Sequence, residues 1–107
     1  MISSNRVLPG LLDLDIRERA QDDIFNIIEY GVAAHGKQAT RAYVDAIAAR
    51  IEWLRTNARL GPVHSELRGG IRSFRQSRHR IYYVANPQRM SIIRILHVSM
   101  DVLHLLD

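Results

Sequence analysis

The last third of the chain decides the fold, because residues 71–98 read IRSFRQSRHRIYYVANPQRMSIIRILHV. Three runs in this stretch, 71–76, 80–85 and 90–98, are rich in β-branched and aromatic residues, which favour β-strands. Residues 86–89, Asn-Pro-Gln-Arg, separate the last two runs and are typical of a four-residue hairpin turn. The pattern therefore predicts an antiparallel meander of three strands.

The residues before this meander predict one more strand and two helices. Residues 11–16 alternate apolar and acidic side chains, as a half-buried strand does. Apolar residues then recur with helical spacing from Ala20 to near Gly36, and again from Ala39 to Leu54. Two helices joined by so short a connection form an antiparallel hairpin.

Together these elements predict an α+β fold in the order β-α-α-β-β-β. We expect a small antiparallel sheet with the N-terminal helical hairpin packed on one face and the other face left open. In the last strand, alternation places Arg94 on one face with Ile92 and Leu96, and His97 on the other face with Ile93 and Ile95.

Length and composition limit what such a chain can be. A chain of 107 residues fits one domain, and we expect a flexible arm at 1–10 followed by a single domain at 11–107. The absence of Cys excludes disulfides, thiolate zinc sites and cysteine nucleophiles. Neither a targeting segment nor a run long enough to span a membrane is evident, so we expect a cytoplasmic protein without membrane contact.

The positive charge is concentrated in the second half of the chain. Fourteen of the fifteen basic residues are Arg, with Lys37 alone, and no acidic residue occurs between Glu66 and Asp101. Guanidinium groups bind carboxylates and phosphates in a bidentate manner, so this stretch predicts an anionic partner. Ordinary solvated arginines are the competing interpretation for any single position.

The order and spacing of several short motifs resemble those of the ParE toxins of the RelE/ParE superfamily. The motifs run from Leu67 to Phe74, from His79 to Val84 and from Ile93 to His97, followed by Met100-Asp101. An upstream helix from Asp23 to Tyr30 is also similar, and the resemblance covers about residues 11–104. It implies a RelE/ParE-like fold, in agreement with the elements predicted above.

The resemblance implies the toxin of a type II toxin–antitoxin pair, of the kind linked to plasmid stabilisation. Such a toxin is neutralised in a hetero-oligomer by a ParD-like antitoxin with an acidic amphipathic tail. ParE-like toxins are described as inhibiting DNA gyrase without being enzymes. The alternatives are a RelE-like endoribonuclease that cuts messenger RNA on the ribosome, or a family member that has lost its toxicity.

A nuclease needs cations for the phosphate and groups that move protons. If this chain is one, the residues that carry the chemistry are Arg80, Arg94, His97 and Tyr82. RelE-like enzymes often use Lys, whereas the one lysine here, Lys37, lies in the predicted helical turn, so we favour the non-enzymatic interpretation, with no catalytic residue. The five histidines lack metal-ligand spacing, and we expect neither a metal nor a cofactor.

The residues expected to bind the antitoxin or the target are mostly cations of the acid-free stretch. The C-terminal leucines join them, because exposed apolar residues either dock on the domain or contact a partner. The full set is Arg68, Arg72, Arg75, Arg78, Arg80, Arg94, His97, Leu103 and Leu106.

Overall fold

The computed structural model describes residues 12–106, so the arm expected at 1–10 lies outside the described residues. The order of elements agrees with the prediction, with one short C-terminal helix added. In chain order they are β1 (Asp13–Ile16), α1 (Glu18–His35), α2 (Lys37–Leu54), β2 (Arg72–Gln76), β3 (His79–Ala85), β4 (Arg89–His97) and α3 (Val102–Leu105).

The four strands form one sheet in the order β1-β4-β3-β2. The meander is confirmed, since β2 pairs antiparallel with β3 and β3 antiparallel with β4. The expectation of a wholly antiparallel sheet is wrong at β1, which runs parallel to β4 from the Asp13–Arg89 pair to the Ile16–Ile92 pair. A tight hairpin forces neighbouring strands to be antiparallel, whereas β1 joins the rest of the sheet through two helices, which leave its direction free.

The helical hairpin packs on one face of the sheet, as predicted, and we call this the helical face. Gly36 joins α1 to α2 with a φ of 87°, a conformation that glycine adopts without strain. The core of this face consists of Ala20, Ile47, Ile51, Leu54, Ile81, Tyr83, Met90, Ile92 and Ile95.

The opposite face, which we call the tail face, is partly covered, so the expectation of an open face is wrong. Ile71, Tyr82 and Leu96 are buried there. The partly buried residues that pack on them come from the loop before β2, from the strands, and from the C-terminal tail: Leu67, Val84, Ile93, Val102, Leu105 and Leu106. The apolar tail therefore docks on its own domain, although Leu103 stays 49% exposed.

A β-bulge in β4 changes which residues share a face. Tyr82 pairs with Arg94 and Tyr83 pairs with Ile92, so Ile93 has no partner opposite it. Ile92 therefore lies on the helical face with Ile95, while Ile93 packs in the tail-face cluster. The prediction that Ile92 shares a face with Arg94, and Ile93 with Ile95, is wrong because one extra residue shifts the alternation.

Candidate functional site

The guanidinium of Arg94 forms hydrogen bonds to other residues of the domain. Its guanidinium donates two hydrogen bonds of 2.8 Å to the carboxylate of Asp23, and a third of 2.8 Å to the carbonyl of Leu105. The side chains of Arg94 and Asp23 are only 14% and 9% exposed. The hydrogen bonds to Asp23 raise the pKa of Arg94. One guanidinium thus connects β4 with α1 and with the C-terminal tail.

Asp23 supplies a hydrogen-bond acceptor to β4 beyond the end of β1, whose last residue pairs with Ile92. Beyond that pair no strand of the described chain borders this edge of β4, and the N–H of Ile95 instead donates to Asp23 Oδ2 at 2.9 Å. A buried backbone N–H requires an acceptor, so the Asp23 carboxylate takes the place of a carbonyl from a neighbouring strand. The sequence carries a signal for this role, since Asp23 is an acid at helical spacing from the apolar residues Ala20 and Ile27.

His97 lies at the end of β4 beside His79, with the two rings edge to face at 5.4 Å. The Nδ1 of His97 lies 2.7 Å from Ser99 Oγ and accepts a hydrogen bond from the Ser99 N–H. The Nδ1 of His79 lies 2.6 Å from the hydroxyl of Tyr43, which connects β3 to α2. Burial lowers the pKa of His79, and the nearby His97 and Arg78 lower it further.

The four residues of the nuclease alternative do not converge on one point. His97 lies on the helical side of the sheet, with His79, whereas Arg80 and Tyr82 occupy the tail face. The guanidinium of Arg94 is engaged by Asp23. General acid–base catalysis needs its groups within hydrogen-bond reach of one substrate, and this set does not meet that requirement.

A polar cluster on the tail face was not predicted from the sequence. The Nε2 of His64 lies 2.6 Å from Ser73 Oγ, and its Nδ1 lies 3.3 Å from Glu66 Oε2. The outline is that of a serine nucleophile with a histidine base, but Ser73 is fully buried and no substrate can reach it. Arg80 also donates to Ser73 Oγ at 3.3 Å. The cluster therefore holds the loop of His64 against the sheet.

The remaining predicted cations are divided between the two faces. Arg72 lies on the helical side and donates to the carbonyl of Gly61 at 2.8 Å. Arg75 and Arg80 lie opposite each other on the tail face, and the exposed Arg78 lies in the turn between their strands. Within residues 12–106, no carboxylate lies within 4.0 Å of these four guanidiniums or of Arg68. Among the described residues, these cations therefore have no counter-charge.

The helical hairpin also exposes apolar side chains. Phe25, Ile28 and Val32 form a stripe on α1 and are 60%, 38% and 37% exposed. Beside it, an apolar cleft of about 160 Å³ lies between β1 and the two helices. Its walls consist of Leu14, Ile16, Ile24, Ile27, Val44, Ile47, Ala48, Ile51 and Glu52.

A second, larger groove of about 670 Å³ lies at the end of α2. It is lined by Leu12, Arg55, Arg59 and Arg72, together with residues of the β3–β4 turn. The apolar cleft ends at Leu14 and Glu52, and the groove begins at Leu12 and Arg55, so the two depressions are neighbours along the same side of the domain. We call them the apolar cleft and the arginine groove.

From Leu12 to Leu106, no three His, Asp or Glu side chains lie close enough together to hold a metal ion. In the same part of the chain, no helix has the length and hydrophobicity needed to cross a bilayer.

Comparison with known proteins adds two findings. The sequence profile of a family described as "ParE toxin of type II toxin-antitoxin system, parDE" matches residues 14–102. Among the solved structures, a chain described as "Chromosomal ParDE TA system from P. aeruginosa" is similar, with a TM-score of 0.73 and 20% sequence identity over 84% of this chain and 99% of that one. Curated protein sequences gave no match.

Proposed function

We propose that this chain, which belongs to the ParE toxin family of type II toxin–antitoxin systems, is neutralised by a cognate ParD-like antitoxin and inhibits DNA gyrase. The observation that carries this proposal is the family match over residues 14–102, which includes all four strands and both long helices except the first residue of β1. The similar P. aeruginosa chain supports the fold at 20% identity.

The antitoxin site is proposed on the helical side of the domain. An amphipathic tail needs an apolar surface for its anchors and cations for its acids, and both lie side by side here. The stripe of Phe25, Ile28 and Val32 and the apolar cleft supply the first. The arginine groove, where Arg59 and Arg72 lack carboxylate partners among the described residues, supplies the second.

Calorimetric titration with the antitoxin encoded beside this chain tests the site. We expect the double substitution Phe25→Ala, Ile28→Ala to weaken binding by about tenfold or more, because central apolar anchors dominate such interfaces. The matched control is Tyr30→Ala, which removes a 73% exposed aromatic side chain from another side of the same helix and should change the affinity less than about twofold. Equal effects of the two variants would contradict this site.

The non-enzymatic interpretation is preferred for a specific reason. The nuclease set of Arg80, Arg94, His97 and Tyr82 is divided between two faces, and Arg94 is held by Asp23.

Contact with the target is proposed instead for exposed apolar residues at the C-terminal end, where Met100 and Leu103 are 51% and 49% exposed. Removal of the whole tail would also remove the Leu105 carbonyl from Arg94, so single substitutions are the cleaner test.

Induced expression in a bacterium separates the two activities. Gyrase inhibition predicts double-strand DNA breaks and filamentation, with messenger RNA intact. Leu103→Asp should suppress the breaks and the filamentation while antitoxin binding is retained. Val63→Asp is a suitable control, since it places the same charge at a 50% exposed apolar position away from the tail. Rapid cleavage of messenger RNA with intact DNA would overturn the gyrase proposal.

A further inference from the structure

Two arginines of the tail face are placed in a way that folding alone does not explain. Arg75 of β2 and Arg80 of β3 are direct cross-strand partners and share one face of the sheet. Like charges directly opposite each other destabilise an antiparallel pair. Among the described residues neither has a carboxylate within 4.0 Å. An anion bound between them would relieve the repulsion.

The donors around this pair remain largely available. Arg75 uses its Nε for the carbonyl of Ser77, which fixes the side chain beside the turn and leaves both terminal nitrogens free. Arg80 uses one terminal nitrogen for Ser73 Oγ. Five N–H donors of a guanidinium are arranged in a fixed fork, so each arginine keeps a pair of N–H groups for an oxygen ligand.

Tyr82 adds a hydroxyl to the same face, two residues after Arg80 on β3. The residue is only 6% exposed and belongs to the tail-face cluster, yet its hydroxyl makes no hydrogen bond within residues 12–106. Arg80 and Tyr82 are two residues apart on β3 and therefore lie on the same face. Burial raises the pKa of Tyr82, and the positive charge of Arg80 opposes that rise. The negative charge of Glu66 also raises the pKa of Tyr82, but the Glu66 carboxylate already binds His64.

We propose that Arg75, Arg80 and Tyr82 form a binding site for a phosphate group of a nucleic-acid strand. The tetrahedral phosphate oxygens can accept hydrogen bonds from several directions at once, as these three side chains offer them, whereas a planar carboxylate accepts in one plane.

A nucleic-acid strand suits the site better than a single phosphorylated side chain. Arg78 lies in the adjoining turn, is exposed and has no carboxylate partner among the described residues, so it can contact a neighbouring phosphate along the same strand. The site lies on the tail face, whereas the proposed antitoxin site lies on the helical side. The inference therefore goes beyond the proposed function and can fail independently of it.

Fluorescence anisotropy of the full chain with a fluorescein-labelled single-stranded DNA tests the proposal. The variant Arg75→Ala, Arg80→Ala should bind at least about tenfold more weakly, and the slope of log affinity against log salt should fall by roughly 1.4, the value for two lost phosphate contacts. The matched control is Arg41→Ala, Arg89→Ala, which removes the same charge from exposed positions on α2 and at the far end of β4. This control should lose no more than about twofold, the contribution of long-range attraction.

Two further measurements make the result decisive. Tyr82→Phe should weaken binding by a few fold without loss of stability, because the hydroxyl makes no hydrogen bond to any residue from 12 to 106. RNA of the same sequence should bind about as well as DNA, since phosphates and not sugars are contacted.

Three outcomes would overturn the proposal. Equal loss in the two double variants would attribute binding to overall charge. Tighter binding of a phosphoserine peptide than of the oligonucleotide would show that the phosphate comes from a protein. Unchanged affinity of the Arg75→Ala, Arg80→Ala variant, with antitoxin binding intact as proof of folding, would show that no site exists there.

Discussion

The helical face and the tail face of the sheet are stabilised in different ways. The helical face buries nine apolar residues in one cluster, whereas the tail face buries three beneath a short helix and a loop. Two sets of buried polar contacts hold the elements that cover the tail face, namely the Asp23–Arg94 pair at the edge of β4, which reaches the C-terminal tail, and the link between His64 and Ser73. Apolar burial fixes the first face, while charges and hydrogen bonds hold the elements that cover the second. The stripe of exposed apolar residues on α1 lies on the helical side, whereas the facing pair of Arg75 and Arg80 lies on the tail face.

The largest effect is expected from Asp23→Ala. It leaves the mostly buried Arg94 without its counter-charge and the Ile95 N–H without an acceptor, a combination that typically destabilises by about 3–5 kcal/mol. Urea unfolding measures this loss. Asp22→Ala is the control, because it removes the same charge from an exposed neighbour and should change stability by less than about 0.5 kcal/mol. A loss under about 1 kcal/mol in Asp23→Ala would mean that Arg94 finds another partner.

A pair of leucines compares the packing of the two faces directly. Leu54→Ala removes a fully buried side chain from the helical-face cluster and should cost about 2–5 kcal/mol. Leu105→Ala acts on a half-buried side chain of the tail and should cost about 1 kcal/mol, in proportion to the smaller area that it buries. Thermal unfolding of both variants provides the measurement. If Leu105→Ala costs as much as Leu54→Ala, the tail is an integral part of the core.

A small gain in stability is expected from Arg75→Gln. The substitution removes one of two like charges that face each other across β2 and β3, a repulsion worth about 0.2–1 kcal/mol. It should therefore stabilise the unbound chain slightly while it weakens the phosphate site. Urea midpoints at low and high salt test this, since screening should reduce the gain. Arg41→Gln has no opposing cation across a strand and should give no such gain.

The smallest effect on stability is expected from the protonation of His79 at mildly acidic pH. Its folded pKa lies below the ordinary value of 6.5, so at mildly acidic pH the unfolded chain binds the proton more readily than the folded chain does. The contribution of His79 to stability is therefore complete above pH 6.5 and declines as the pH falls below that value. His79→Gln should flatten this part of the pH–stability curve. A steeper decline in His79→Gln would contradict the direction of the shift.

Local sequence patterns were sufficient to predict the elements, whereas the pairings of distant residues were not predictable. Alternation at 71–98 and helical spacing before it gave the meander and the hairpin correctly. The parallel pairing of β1 was missed because no turn dictates the direction of that strand. The bulge at Ile93 was missed because Ile92 and Ile93 are both apolar, so either can face a core.

The expected roles of individual residues depended even more on distant partners. No local pattern predicts the partner of Arg94, because its counter-charge, Asp23, lies 71 positions away in the sequence. His64 and Ser73 have no local pattern that predicts their contact, which arises only when the loop folds back on β2. Arg75 and Arg80, by contrast, are close in sequence, and the predicted hairpin already places them on one face.

Hydrogen–deuterium exchange of the chain alone and bound to its antitoxin tests most directly the claim that the two sides of the domain have separate partners. We predict slower exchange on binding in β1 and along α1, beside the apolar cleft, with no change at the tip of the β2–β3 hairpin, from Arg75 to Arg80. Protection confined to that hairpin, with α1 unchanged, would contradict the account.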